Sequence, residues 1–107
     1  MTSVEQQLDS LRSLFTEHAE RRIEEMRRLL TALQDNRPNA DVLRQLRAHF
    51  HSFAGLGSTY GYPQASELGD RGESRVSEVL QESGAPGNED LAAWRRFVDA
   101  LEADLAS

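Results

Sequence analysis

A chain of 107 residues has room for one domain with one core, so a functional site must lie on its surface or in a shallow groove. The sequence contains no cysteine, which excludes disulfides, thiolate metal sites and cysteine nucleophiles. Its formal net charge of -6 repels phosphate backbones, so we expect neither nucleic acid nor a membrane surface as a partner. The opening residues lack a signal-peptide pattern, and no segment is apolar enough to span a bilayer. These features favour a cytoplasmic monomer.

Apolar residues recur every three or four positions, and no run of alternating β-branched residues occurs, a pattern typical of an all-α fold. The first stripe predicts a helix from about Val4 to Gln34, which a polar, proline-containing segment at residues 35–39 ends. Eight residues of this helix are expected to face the core: Leu8, Leu11, Phe15, Ala19, Ile23, Met26, Leu30 and Leu33.

A second helix is predicted from about residue 40 to residue 60, where glycine and proline interrupt it. Helical projection places five of its apolar residues on one side: Val42, Leu46, Phe53, Leu56 and Tyr60. Pro63 suits the first turn of a third helix, which is expected to run to about residue 82.

A loop rich in glycine and proline at residues 83–88 separates the third helix from a fourth, predicted over residues 89–106. The inward stripe of the fourth helix consists of Leu91, Trp94, Val98, Leu101 and Leu105. Short connections favour antiparallel neighbours, so the whole chain, residues 1–107, is predicted to be a single up-down antiparallel four-helix bundle. The fourth helix shows no stop signal, which is expected where more chain follows.

His51 is the first candidate functional residue, because it projects from the second helix roughly opposite the apolar stripe. Six residues lie within about 60° of its direction: Arg44, Arg47, Ala48, Ala54, Gly55 and Ser58. The neighbours one turn after the histidine have almost no side chain, so a partner could approach the imidazole directly. A neutral imidazole is available as a nucleophile near physiological pH. An ordinary surface histidine is the alternative reading.

The spacing around this histidine resembles that of the histidine phosphotransfer family. Members typically show a histidine, a lysine and a glycine three and four residues later, and a glycine ten residues after the histidine. This chain has His51, Ala54, Gly55 and Gly61, followed by a helix that starts with Pro63. The resemblance covers nearly the whole chain, since the family fold is a four-helix bundle of about this size.

The resemblance implies a phosphorelay carrier that is not itself an enzyme. His51 would accept a phosphoryl group through Nε2 and exchange it with the aspartate of a response-regulator receiver domain, or receive it from a histidine kinase. Gly55 would let the receiver's loops approach, and the six residues around His51 would form the docking face. The receiver would supply Mg²⁺ and acidic residues, so no cofactor is expected on this chain.

Ala54 departs from the family pattern, since the common lysine is thought to help hold the phosphoryl group. A histidine-x-x-alanine-glycine version is similar to phosphotransfer domains attached to bacterial response regulators. Arg44 and Arg47 could replace the missing charge, although exposed arginines on a helix are more often solvated.

Glu73 is a second candidate site residue. In chemotaxis kinases of this family, a glutamate twenty-two residues after the histidine hydrogen-bonds the other ring nitrogen, and Glu73 occupies that offset. Such a bond would fix the tautomer with Nε2 unprotonated. The alternative is a solvated glutamate in a charge-rich run.

The other histidines do not suggest a metal site. His49 projects about 160° away from His51, so a regular helix cannot bring the two rings to one ion, and a packed or partly buried ring is expected. His18 is expected at the surface or in a groove. Neither a Glu-x-x-His nor a His-x-x-x-His pair occurs, so no metal is expected.

Two other functional classes remain open. One is a non-phosphorylated interaction module that docks receiver or output domains, and the other is a plain helical adaptor. The histidine with its two spaced glycines favours phosphotransfer, whereas Ala54 keeps the interaction module open.

Overall fold

The computed structural model describes residues 3–106, which fold into four α-helices and contain no β-strand. The helices are α1 (Val4–Asp35), α2 (Ala40–Leu56), α3 (Pro63–Gln81) and α4 (Asn88–Ala106), with a 3-10 turn at Ser58–Tyr60. They form the up-down antiparallel bundle predicted from the periodicity, so the all-α fold class is confirmed. Within residues 3–106, none of the helices is both long and apolar enough to cross a membrane.

The core of the described residues contains apolar side chains only. All five predicted inward positions of α4 are buried, and Trp94, the largest of them, has no exposed surface. Large, fully buried side chains come from all four helices, among them Met26, Phe50, Val76 and Trp94. The bundle is therefore stabilised by burial of apolar surface shared among its helices.

The beginning of α1 extends beyond the rest of the bundle. With 32 residues this helix is about 48 Å long, whereas the other helices have 17 to 19 residues and measure about 26–29 Å. Leu8 and Leu11, which the periodicity predicted to be buried, are 50% and 48% exposed. The prediction is wrong for these two residues because they line open surface grooves beside the end of α2 and the 3-10 turn, not the core.

The buried stripe of α2 differs from the predicted one. It consists of Leu43, Leu46, Phe50 and Phe53, whereas Leu56 is 43% exposed and Val42 and Tyr60 are only partly buried. The observed residues also follow steps of three and four. Two overlapping stripes were therefore compatible with the sequence, and packing against α3 selects the one that contains Phe50.

The second helix ends at Leu56 rather than at about residue 60. The hydroxyl of Ser66, a residue of α3, accepts a hydrogen bond from the backbone N–H of Ser58, with 2.6 Å between nitrogen and oxygen. A Cβ at Gly57 would lie 2.6 Å from the Ser66 backbone nitrogen, so the chain passes α3 at a distance that only glycine permits. Gly61 then adopts a left-handed φ of 91° and completes the turn.

Candidate functional site

His51 lies on the outer face of α2, and 72% of its side-chain surface is exposed. One turn later, a Cβ added to Gly55 would find no atom within 4 Å. Ala48, one turn earlier, is also exposed. The imidazole therefore has only small side chains beside it on the helix and is accessible to a large partner.

The imidazole of His51 is bonded to a carboxylate of α3. Its Nδ1 lies 2.9 Å from Oε1 of Glu73, a residue 22 positions later whose side chain is 30% exposed. An ionised carboxylate can only accept a hydrogen bond, so Nδ1 carries the hydrogen and donates it to Glu73. This tautomer leaves Nε2 with a free lone pair, which a nucleophile requires.

Close packing of α3 on α2 brings these two side chains together, and these two helices form the most extensive helix pair of the bundle. A Cβ at Gly69 would lie 2.5 Å from the backbone nitrogen of Ala54 and 2.5 Å from the backbone oxygen of Phe50. A Cβ at Gly72 would overlap the Phe50 ring. Both glycines allow a close approach that places Glu73, the next residue, beside the histidine.

Sequence reasoning missed Gly69 and Gly72, although a signal was present. Two glycines three residues apart share one face of a helix, and each is less favourable there than alanine by about 1 kcal/mol. Such a pair in a helix interior indicates a close backbone contact with a neighbour.

The predicted docking residues do not all lie on one helix. Arg44 donates a hydrogen bond to Asp41 at 3.2 Å. Arg47 is partly buried, and no hydrogen bond or ion pair of its guanidinium is found among residues 3–106. Ser58, projected onto a continuous second helix, instead belongs to the 3-10 turn, because α2 ends before it. The α2 part of the face therefore carries one paired and one unpaired cation.

His49 faces α1 and is separate from His51. Its Nδ1 accepts a hydrogen bond from Nη1 of Arg22 at 3.2 Å, and its ring is partly buried. Burial, with a smaller contribution from the positive charge of Arg22, lowers the pKa of His49 below its ordinary value. Among residues 3–106, no three His, Cys, Asp or Glu side chains are grouped so that they could hold a metal ion.

An apolar strip lies on the surface between α1 and α2, formed by Leu8, Leu11, Leu14 and Leu56, each about half exposed. Three of these leucines line a groove of about 310 Å³ that also contains His18 and Ser52, the residue after His51. The exposed apolar surface therefore reaches α2 at Ser52, and a strip of this kind is typical of an interaction surface.

A helical bundle that presents an exposed, carboxylate-bonded imidazole has the features of a carrier surface rather than of an enclosed active site. The family model described as the Hpt domain matches residues 10–105, nearly the whole chain, and the chain therefore belongs to the Hpt domain family. Comparison with curated proteins and with solved structures found no match. Membership implies histidine phosphotransfer in a phosphorelay, with partners such as receiver domains or kinases.

Proposed function

We propose that His51 is the phosphoacceptor of this domain. It exchanges a phosphoryl group with the aspartate of a response-regulator receiver domain, or receives the group from a histidine kinase. The hydrogen bond of 2.9 Å between Nδ1 and Glu73 carries the proposal, because in the neutral imidazole it holds the hydrogen on Nδ1 and leaves the lone pair on Nε2 of an exposed ring. Of the two other histidines, His49 is partly buried and bonded to an arginine, and His18 lines a groove.

The chemistry requires only one nucleophile from this chain. Nε2 of His51 attacks the phosphorus of the receiver's aspartyl phosphate in line, and the P–O bond to the aspartate breaks as the N–P bond forms. The aspartate carboxylate leaves with the electron pair, and the hydrogen on Nδ1 stays in place. The imidazole gains positive charge, which the Glu73 carboxylate stabilises across the hydrogen bond. In this proposal the receiver supplies Mg²⁺ and acidic residues, and this chain binds no cofactor.

We also propose that the domain is a variant with alanine in place of the usual lysine. Ala54 is partly buried against α3 and offers no charge to a phosphoryl group on His51. This substitution leaves the nucleophile in place and changes only how the transferred group is held.

Replacement of the two neighbouring histidines tests the proposed function. His51→Gln should abolish acid-labile phosphorylation by phosphoramidate and by phosphorylated receivers. It should leave the circular dichroism spectrum and the thermal midpoint nearly unchanged, because an exposed side chain contributes little to packing. His49→Gln is the matched control and should still be labelled. A label that survives the loss of His51 and disappears with His49 would show that the wrong histidine has been chosen.

Glu73→Ala should slow transfer by about ten- to a hundredfold without abolishing it, because hydrogen bonds to charged groups contribute about 1.5–3 kcal/mol. Single-turnover transfer rates and imidazole ¹⁵N shifts by NMR measure the two effects. Glu78→Ala removes an exposed carboxylate from the same helix and should change neither. If Glu73→Ala leaves the tautomer and the rate unchanged, Glu73 is only a solvated surface residue.

The apolar strip favours a second candidate function, a non-phosphorylated module that docks a receiver domain. The exposed leucines between α1 and α2 would supply binding whether or not His51 is phosphorylated. Binding and labelling of the parent protein by phosphorylated receiver domains, measured together, distinguish the two. A parent protein that binds receivers but is never labelled would favour the docking module.

A further inference from the structure

A phosphoryl group on His51 would add about −1.5 to −2 charges to the exposed face of α2. The partly buried Ala54 supplies no cation there, and the carboxylate of Glu73 lies on the other side of the ring, 2.9 Å from Nδ1. Both features leave the phosphoryl oxygens without a positive partner unless another residue provides one.

Helices α2 and α3 contain four arginines, and three of them already contact another side chain. Arg44 donates to Asp41 at 3.2 Å, Arg75 donates to Asp90 at 3.2 Å, and Arg71 lies over the Phe97 ring at 5.6 Å from its centre. Arg47 is the fourth, and among residues 3–106 its guanidinium has no hydrogen bond or ion pair.

Arg47 lies one turn before His51, and side chains at this spacing are neighbours on a helix surface, with about 5–6 Å between their Cβ atoms. Helical side chains lean toward the N-terminus of their helix, so the imidazole of His51 extends over the turn that carries Arg47, and the long Arg47 side chain can bend back to meet it. Arg47 is partly buried, so its side chain has less freedom to lose when it pairs with a group on this face.

We propose that Arg47 holds the phosphoryl group of phosphorylated His51, in place of the lysine that Ala54 replaces. This inference rests on the proposed function. The planar guanidinium can donate two parallel hydrogen bonds to phosphoryl oxygens, a geometry that a lysine ammonium does not offer. Arg47 and Glu73 then have separate tasks, since the carboxylate orients Nδ1 and the guanidinium neutralises the group on Nε2.

The test compares the parent with Arg47→Gln and with the control Arg44→Gln, each phosphorylated with phosphoramidate. A ³¹P NMR titration of the phosphohistidine signal then gives the acid dissociation constant of the phosphoryl group. A nearby cation favours the dianion, so this constant should be about two- to fivefold lower in Arg47→Gln than in the parent, the range expected for an exposed ion pair. Arg44→Gln should match the parent, Arg47→Lys should restore part of the difference, and high salt should reduce it.

The possible outcomes separate the two proposals. Equal dissociation constants in the parent and Arg47→Gln would overturn the role of Arg47 and leave the function of His51 intact. A decrease in Arg44→Gln alone would assign the role to Arg44 instead. No phosphohistidine signal in the parent would overturn the proposed function together with this inference. Circular dichroism spectra should show that both variants keep the helical content of the parent.

Discussion

Gly69→Ala should destabilise the bundle by about 1–3 kcal/mol, the usual effect of overpacking an interior. The added methyl group would lie 2.5 Å from backbone atoms of Ala54 and Phe50, which cannot move aside as the end of a flexible side chain can. The higher helix propensity of alanine offsets at most about 1 kcal/mol of this effect. Separation of the helices should also lengthen the hydrogen bond between His51 and Glu73.

Thermal unfolding followed by circular dichroism measures the loss of stability. In a domain of this size, each kcal/mol lost lowers the thermal midpoint by about 4–8 °C. Gly55→Ala is the matched control, since its methyl group meets no atom within 4 Å, and it should stabilise the fold by up to about 1 kcal/mol. Imidazole ¹⁵N shifts should change in Gly69→Ala and stay constant in Gly55→Ala. Equal stability of the two variants would contradict the close packing of α2 and α3.

Periodicity predicted the helical fold because most apolar residues at steps of three and four do lie in the core, as all five do in α4. It failed for Leu8 and Leu11, where the apolar pattern continues although both side chains face open surface grooves and not the core. It also misplaced the end of α2. That end depends on the Ser66 hydroxyl of another helix, and a local pattern carries no information about such a contact.

The candidate site was also predictable only where it depends on local sequence. Helical projection was sufficient to place His51 on an outer face, and the family resemblance pointed to Glu73 by its offset. The distance of 2.9 Å between them depends on how closely α3 packs on α2. Gly69 and Gly72 set that packing, and their contacts are tertiary. The sequence therefore indicated which side chains to examine, and the structure provided the reason that they meet.

Gly55→Gln should reduce phosphoryl transfer from a cognate receiver by about a hundredfold, because small misplacements of reacting groups have effects of that size. The receiver must bring its aspartyl phosphate within bonding distance of Nε2 of His51, so its backbone must pass close to the next turn of α2. Gly55 is exposed on that turn and leaves the space above it open. A glutamine side chain would occupy that space while the isolated domain stays folded.

Phosphoramidate provides the decisive comparison, because a small donor reaches the imidazole without docking a large surface. Its rate of phosphorylation should change little in Gly55→Gln, so the ratio of receiver-dependent to phosphoramidate-dependent rates should fall. Ala92→Gln adds the same side chain at an exposed position of α4 and should leave both rates unchanged. Equal losses with both donors would mean that the glutamine disturbs His51 itself. An unchanged receiver rate would mean that the receiver docks elsewhere, and that the small residues around the histidine have no role in its approach.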